Sequence, residues 1–246
     1  MIKLPDVTMV VVDTKAHALT KLALDDTLSQ IEPAEVLVFT DDEFPFAPTS
    51  IRKIEPLASM DDYNSVIWGM PPFFVKTSHM LVFQWDGWVT DGSLWSDDWL
   101  QYDYIGARWP WFSDEHCIGN GGFSLRSMRL VRHLSDQGIA PELGKAEDLK
   151  LCRDLRPALE AEGFRWAPVE VAELFSFEIA RPPHATFGFH DVRNFRHLLT
   201  AERLSERFAA ITANAHLSAK EECQAALHAI LRERRLRQTL REIFPE

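Results

Sequence analysis

An apolar run at residues 7–12, Val-Thr-Met-Val-Val-Val, restricts the possible folds of this chain more than any other segment. It lacks a regular polar alternation, so it predicts a strand buried on both faces, which is typical of a parallel sheet. Residues 17–31 then place apolar side chains at helical spacing, and residues 35–40 repeat the strand pattern. The start of the chain therefore predicts a βαβ unit with a right-handed crossover.

Polar residues follow several of the predicted strands. Further strands are predicted at residues 51–57 and 79–85, with a short helix near residues 61–69 between them. The loops that follow parallel strands lie at one edge of the sheet, and open α/β sheets bind ligands at this edge. We therefore expect one ligand pocket at this edge. The polar residues that follow the strands are Asp13, Thr14, Asp41 and Asp86.

Composition excludes several classes of function. The formal net charge of −11 disfavours binding to nucleic-acid phosphates. No apolar run approaches the roughly 20 residues that span a bilayer, and the first residues lack a signal-peptide pattern, so we expect a cytoplasmic protein. Cys117, Cys152 and Cys223 show no CxxC spacing, which predicts buried reduced thiols.

The composition changes near residue 200 to one rich in Ala, Leu, Glu and Arg. We expect a principal domain over residues 1–199 and a helical extension over residues 200–246. Residues 218–221 predict a capping box before a long final helix. The arginines of that helix form a basic amphipathic pattern, which fits a peripheral contact with a membrane or a partner. The alternative is that the final helix packs on its own domain and exposes its Arg and Glu side chains to solvent.

Four residues have side chains suited to chemistry. Asp86, followed by Gly87, suits a divalent cation, which needs only one or two protein carboxylates when it bridges phosphates. His190 ends an apolar segment and can supply a neutral imidazole to the cation. Glu147 and Asp148 begin a helix predicted over residues 147–162. Their carboxylates either stabilise the N-terminus of this helix, or one of them binds the acceptor hydroxyl while the other removes its proton. A turn at Asp86 and a structural histidine at 190 are the alternatives.

Glycines and tryptophans are clustered in the middle of the chain. Residues 119–124, Gly-Asn-Gly-Gly-Phe-Ser, match neither a P-loop nor a dinucleotide fingerprint. They predict either a close approach of backbone to a ligand or a tight turn. Seven of the eight tryptophans lie between Trp68 and Trp111, where they either stack on a sugar or cover the sheet.

The blocks QWDG, YDYIGARW and IGNGGFSLRS, followed by the acidic pair, resemble a bacterial glycosyltransferase family of unknown function. The resemblance extends over about residues 7–194. More distantly, the order of the blocks is similar to that of metal-dependent galactosyltransferases of the GT-A fold. It implies an α/β, GT-A-like fold in which helices flank a mostly parallel, Rossmann-like sheet.

The resemblance also implies roles for the acids and the histidine. Asp86 matches the last acid of a DxD motif and His190 a late metal ligand, so both are expected to bind Mn²⁺ or Mg²⁺. Asp148 is expected to be the catalytic base and Glu147 the clamp on the acceptor. Gln84 replaces the first acid of DxD, which leaves open a metal-independent enzyme.

Donor binding is assigned to residues along the predicted sheet edge. Gly121 and Gly122 match the segment beside the donor and acceptor sugars. The further donor-binding residues that we expect are Asp13, Thr14, Asp41 and Trp85.

The function implied is transfer of a hexose from a nucleotide diphosphate sugar, with a UDP-sugar favoured, to a glycan or lipid-linked acceptor. Inversion and a role in surface polysaccharide synthesis are expected, in the cytoplasm or at the inner face of the membrane. The alternative is a catalytically inactive carbohydrate-binding or scaffold protein of the same fold, and Gln84 favours it.

Overall fold

The computed structural model describes residues 1–42, 50–217 and 220–243. The chain divides into two compact units, Met1–His190 and Asp191–Glu246. The division of roles expected between residues 1–199 and 200–246 stays a prediction.

The first unit contains the strands and the shorter helices. Its strands are β1 (Ile2–Val12), β2 (Ile31–Thr40), β3 (Ser50–Lys53), β4 (His79–Phe83), β5 (Trp88–Val89), β6 (Tyr104–Ile105), β7 (Ala107–Arg108), β8 (Ile118–Gly119), β9 (Phe123–Ser127), β10 (Ser176–Phe177) and β11 (Gly188–Phe189). Its α-helices are α1 (His17–Leu28), α2 (Met60–Gly69), α3 (Pro71–Phe74), α4 (Met128–Asp136), α5 (Glu147–Leu149), α6 (Arg156–Ala161) and α7 (Val169–Phe175).

The main sheet has six strands in the order β3-β2-β1-β4-β9-β6. Strands β3, β2, β1 and β4 are parallel to one another, whereas β9 runs antiparallel to both β4 and β6. The central strand β1 is buried from residue 7 to its end, as the apolar run predicts. The mostly parallel α/β fold expected from the sequence is therefore confirmed.

One apolar core lies between the main sheet and the helices α2 to α4. It joins side chains of the central strands to side chains of these helices, and burial of such side chains is the main favourable term in folding. Its buried members are Val10, Val12, Leu37, Phe39, Ile67, Val75, Met80, Val82, Met128 and Val131.

A smaller sheet, in the order β10-β11-β5, lies in the same unit. β10 is parallel to β11, with Ser176 opposite Gly188 and Phe177 opposite Phe189. Since both strands run in the same direction, the residues that follow them, Glu178 and His190, leave the sheet at the same end.

The helix predicted over residues 147–162 is interrupted. Residues Glu147–Leu149 are α-helical, Lys150–Leu155 form a π-helix, and Arg156–Ala161 are α-helical again. The reason is Pro157, which has no backbone N–H and crowds the preceding turn, so a regular α-helical ladder cannot continue through it.

Most tryptophans belong to the cores rather than to a surface. Trp85 and Trp95 are half-buried, and Trp111 is 56% exposed. The alternative in which the rings cover the sheet therefore accounts for most of them. The buried ones are Trp68, Trp88, Trp99, Trp109 and Trp166.

The second unit is helical, with α8 (Phe195–Leu198), α9 (Ala201–Ala213) and α10 (Lys220–Ile243). Leu204, Ile211 and Leu227 are buried in it, and Arg234 donates to backbone carbonyls of the same unit. The predicted capping box begins at Ser218 and Ala219, which lie outside the described residues. Among the residues described, no helix is long and apolar enough to cross a bilayer. A peripheral contact of α10 with a membrane stays a prediction.

We expect Gly106→Ala to destabilise the first unit. A Cβ at Gly106 would lie 1.7 Å from the carbonyl oxygen of Gly119, so one backbone segment would have to move. Overpacking of this kind costs about 1–3 kcal/mol, measurable by urea unfolding. The matched control is Gly69→Ala, at the end of α2, where a Cβ meets nothing within 4 Å. An unfolding free energy equal in the two variants would contradict the close approach.

Candidate active site

The pairing of β4 with β9 builds the centre of the candidate site. These antiparallel strands bring the end of β4 beside the start of β9, and the N–H of Gln84 donates to the carbonyl of Gly122 at 3.0 Å. Asp86, two residues after Gln84, and the glycine segment therefore emerge at one edge of the main sheet. This is the edge at which the parallel strand β1 also ends.

Asp86 and His190 are neighbours at this edge. Oδ1 of Asp86 lies 3.3 Å from Nε2 of His190, and the two side chains are 16% and 15% exposed. Nδ1 of His190 lies 3.4 Å from Oε1 of Glu178. Burial acts to lower the pKa of His190, but the carboxylates of Asp86 and Glu178 outweigh it and raise the pKa well above its ordinary value.

Gly121 and Gly122 lie between the histidine and the acidic pair. A Cβ at Gly122 would lie 2.1 Å from Nε2 of His190, and one at Gly121 would lie 2.3 Å from Oε1 of Glu147. Only glycine allows both side chains to approach the backbone so closely. The preceding residue, Asn120, has a φ of 78°, and its side chain accepts from the N–H of Gly122 at 2.8 Å.

Glu147 is bound to a buried arginine. Oε1 and Oε2 of Glu147 accept from Nη2 and Nη1 of Arg126 at 2.6 and 3.0 Å. The two side chains are 4% and 3% exposed. Both carboxylate oxygens are thus engaged, so the geometry favours a positioning role for Glu147 over the expected clamp on an acceptor.

Asp148 is half-buried beside the glycine segment. Its Oδ2 accepts from the N–H of Gly121 at 2.8 Å, and its Oδ1 accepts from the N–H of Leu149 at 2.8 Å. Burial and the charge of Glu147 raise the pKa of Asp148 above its ordinary value, against these hydrogen bonds and the charge of Arg126. A carboxylate with a raised pKa is suited to accept a proton.

Asp13 caps the turn between β1 and α1. Its Oδ1 accepts from the N–H groups of Lys15 and Ala16 at 2.8 and 2.7 Å, and its Oδ2 accepts from the hydroxyl of Thr20 at 2.6 Å. The carboxylate therefore holds the start of α1 in place.

Thr14 and Asp41 hold other loops at the same sheet edge. The hydroxyl of Thr14 accepts from the N–H of Leu57 at 3.0 Å. Asp41 lies 3.2 Å from Nε2 of His17, which also lies 2.9 Å from the hydroxyl of Thr40. Asp13, Thr14 and Asp41 thus form a second group, at the ends of β1 and β2.

Trp85 and Gln84 precede the metal candidate Asp86. Trp85 is half-buried. Burial raises the pKa of Tyr63, a residue of α2, far above its ordinary value, and the nearby amide of Gln84 opposes that rise. The amide that replaces the first acid of DxD therefore lies near Tyr63 of a helix.

Asp86 and His190 fit a divalent cation. They offer a carboxylate oxygen and, once a cation takes the place of the Nε2 proton, an imidazole nitrogen. Their 3.3 Å separation is close to the ~3 Å between neighbouring ligands of one small cation. Oδ1 of Asp86 is buried and makes no well-aligned hydrogen bond within the described part of the chain. The described residues contain no group of three or more His, Cys, Asp or Glu side chains around a common metal position. The pair therefore suits an ion whose other ligands are phosphate and water.

Three residues of the site are not predicted by the sequence patterns. Arg126 stands in an otherwise uncharged strand, which is an unusual place for a charge and signals a buried partner. Glu178 ends Phe-Ser-Phe-Glu, a pattern that Phe-Gly-Phe-His repeats up to His190. His17 opens a helix, and no sequence signal distinguishes it.

Comparison with known proteins agrees with this architecture. The profile of a family described as "Protein of unknown function (DUF5672)" matches residues 51–190. A search of curated proteins found no significant match.

Solved structures with a similar fold are glycosyltransferases. The galactosyltransferase LgtC, in complex with donor and acceptor sugar analogues, matches with a TM-score of 0.51 and 11% identity, over 88% of this chain and 99% of LgtC. An active-site mutant of LgtC matches with a TM-score of 0.50 and 10% identity, over the same shares, 88% and 99%. The mannosyltransferase PcManGT from Pyrobaculum calidifontis, in complex with GDP-Man and Mn²⁺, matches with a TM-score of 0.48 and 11% identity. The match covers 94% of this chain and 76% of PcManGT. The chain thus has the GT-A glycosyltransferase fold.

We expect Arg126→Ala to lower the free energy of unfolding by about 3–5 kcal/mol, because it leaves the carboxylate of Glu147 buried without a counter-charge. Urea unfolding measures the loss. The control is Lys21→Ala, which breaks the pair of Lys21 with Asp25, 43% and 45% exposed. An exposed pair contributes about 0–1 kcal/mol. A loss for Arg126→Ala no larger than the control's would contradict the importance of the buried pair.

Proposed function

This chain belongs to the DUF5672 family, and we propose that it is a glycosyltransferase that moves a hexose from a nucleotide diphosphate sugar to a glycan or lipid-linked acceptor. The observation that carries the proposal is the convergence of Asp86, His190 and Asp148 on the glycines of one sheet edge. The proposal is supported by the general rule that open α/β sheets bind ligands at the carboxyl ends of their strands, which is the edge where β1 and β4 end.

Charge around the glycines supports a cation-dependent donor. Asp86 and Glu178 lie beside His190, and Asp148 lies beside Gly121, so a diphosphate could approach the glycines only against carboxylate repulsion. Asp86 and His190 would hold Mn²⁺ or Mg²⁺. When bound, such an ion neutralises the charge that develops on the leaving diphosphate. A UDP-sugar is the donor that we favour.

Asp148 is the proposed base. As the acceptor hydroxyl oxygen attacks the anomeric carbon, its proton passes to the Asp148 carboxylate. The bond from the anomeric carbon to the diphosphate oxygen breaks, and its electron pair leaves with the nucleoside diphosphate. A direct displacement of this kind inverts the anomeric configuration. Burial beside Glu147 favours the protonated product of this step.

The remaining residues position the reactants. Glu147, held by Arg126, fixes the start of α5 and so the direction of Asp148. Asp41 and Trp85 are proposed to contact the nucleoside at the sheet edge. Asp13 and Thr14, whose side chains are bonded within the protein, would contribute by shaping the loops.

A second candidate function is carbohydrate binding without turnover. Gln84, an amide where the DxD pattern has an acid, favours it. The two functions differ in whether the bond between sugar and diphosphate is broken, so one assay separates them.

Nucleoside diphosphate release from a panel of UDP-, GDP- and TDP-hexoses, with Mn²⁺, Mg²⁺ or EDTA, tests the proposal. We expect release from at least one donor with Mn²⁺ and its loss in EDTA. Asp86→Ala should lower the rate about 100-fold or more, because metal stabilisation of the leaving group contributes several kcal/mol. Asp25→Ala, which removes an exposed carboxylate on α1, is the control.

Two results would contradict a transferase. Donors that neither turn over nor raise the melting temperature would contradict any use of a nucleotide sugar. Glycan binding without release from any donor would favour the second candidate.

The pH dependence of kcat/KM should reflect the ionisation of the Asp148 carboxyl group. The base must be ionised to accept a proton, so kcat/KM should fall as pH decreases through its pKa. Since burial and Glu147 raise that pKa, the acidic limb should lie above the ordinary value for aspartate, about 3.9. At pH values above that pKa, where the unaltered Asp148 is ionised, Asp148→Asn should lower kcat by about 10²–10⁴-fold. Full activity of Asp148→Asn would contradict the assignment.

A further inference from the structure

Glu178 occupies a position that repeats that of His190. The chain carries Phe-Ser-Phe-Glu up to Glu178 and Phe-Gly-Phe-His up to His190. The two segments form β10 and β11, which are parallel and pair Phe177 with Phe189. The N–H of His190 donates to the carbonyl of Phe177 at 2.9 Å. Paired positions of parallel strands direct their side chains to the same face, so Glu178 and His190 leave the sheet side by side.

The ring of His190 is confined between carboxylates and glycines. Its Nε2 lies 3.3 Å from Asp86, and its Nδ1 lies 3.4 Å from Glu178, whose side chain is 18% exposed. Gly122 leaves room for the ring, because a Cβ there would lie 2.1 Å from Nε2; a Cβ at Gly87 would instead meet the carbonyl oxygen of Phe189 at 2.7 Å. Each ring nitrogen therefore has its own carboxylate.

We propose that Glu178 is the positioning residue of the metal site: it accepts the Nδ1–H of His190 and so directs the Nε2 lone pair to an ion shared with Asp86. A neutral imidazole that binds a metal through one nitrogen carries its proton on the other, and a carboxylate acceptor fixes that tautomer. The inference rests on the proposed function only in assuming a cation at Asp86 and His190.

The arrangement differs from a simple ion pair in what it predicts for variants. If Glu178 acts as a hydrogen-bond acceptor, its negative charge is secondary and an amide oxygen can replace it. Glu178→Gln keeps an acceptor at this place, whereas Glu178→Ala removes it.

Mn²⁺ binding to the full chain tests the proposal. The free-ion signal in electron paramagnetic resonance is titrated with protein, for Mn²⁺ alone and with UDP. We expect Glu178→Ala to weaken Mn²⁺ affinity about 10–100-fold, the range for loss of such a partner, and Glu178→Gln to restore most of the affinity. Glu170→Ala, which removes an exposed carboxylate on α7, should bind as the unaltered chain does. Thermal melts without Mn²⁺ show that each variant is folded.

Three outcomes would overturn the proposal. The first is Mn²⁺ binding by Glu178→Ala that is no weaker than that of the control. The second is binding by Glu178→Gln that is as weak as that of Glu178→Ala. The third is absence of Mn²⁺ uptake by the unaltered chain. Donor hydrolysis that persists in the first two cases leaves the transferase proposal intact, so failure of the two proposals can be distinguished.

Discussion

The absence of a side chain at Gly121 and Gly122 is the constraint on which the site depends. Glu147 occupies the space of a β-carbon at the first glycine, and His190 occupies that at the second. Neither glycine has a positive φ, so the requirement is for space rather than for an unusual backbone conformation. The acidic pair and the histidine can therefore approach the same short backbone segment from different elements.

Most of the acidic side chains in the site lie beside a basic side chain, whereas Asp148, over the described ranges of the chain, does not. Arg126 neutralises Glu147, and His190 lies between Asp86 and Glu178. Such buried pairs are costly to break, because the charge left behind has no solvent to stabilise it. Asp148, which has backbone donors but no cation of its own within hydrogen-bond distance among the described residues, retains a raised pKa. Structural pairing of the other acids thus leaves one carboxylate suited to proton transfer.

The fold and the sheet edge could be predicted from the sequence because both depend on local patterns. The apolar run of β1 and the strand ends at Asp13 and Asp86 are visible in consecutive residues. The position of His190 after an apolar segment and of Asp148 at a helix start makes both residues candidates, and the family resemblance assigns their roles. Their convergence with Asp86 depends on strand pairings between distant segments, which only the structure shows.

What escaped prediction depends on contacts between distant segments. Arg126 and Glu147 are 21 residues apart in the sequence, and Glu178 and His190 are 12 residues apart. Composition alone therefore identifies neither pair. The tryptophan cluster leaves its two alternatives open for the same reason, since whether a ring is buried depends on which helix covers it. The break in the helix after Glu147 could have been foreseen, because Pro157 is visible in the sequence.

A crystal structure of the chain with UDP and Mn²⁺ tests the central claim most directly. The account predicts that the ion is bound by Oδ1 of Asp86 and Nε2 of His190, with the diphosphate completing its ligands beside Gly121 and Gly122. Density for UDP at another surface, or an ion that contacts neither Asp86 nor His190, would contradict it.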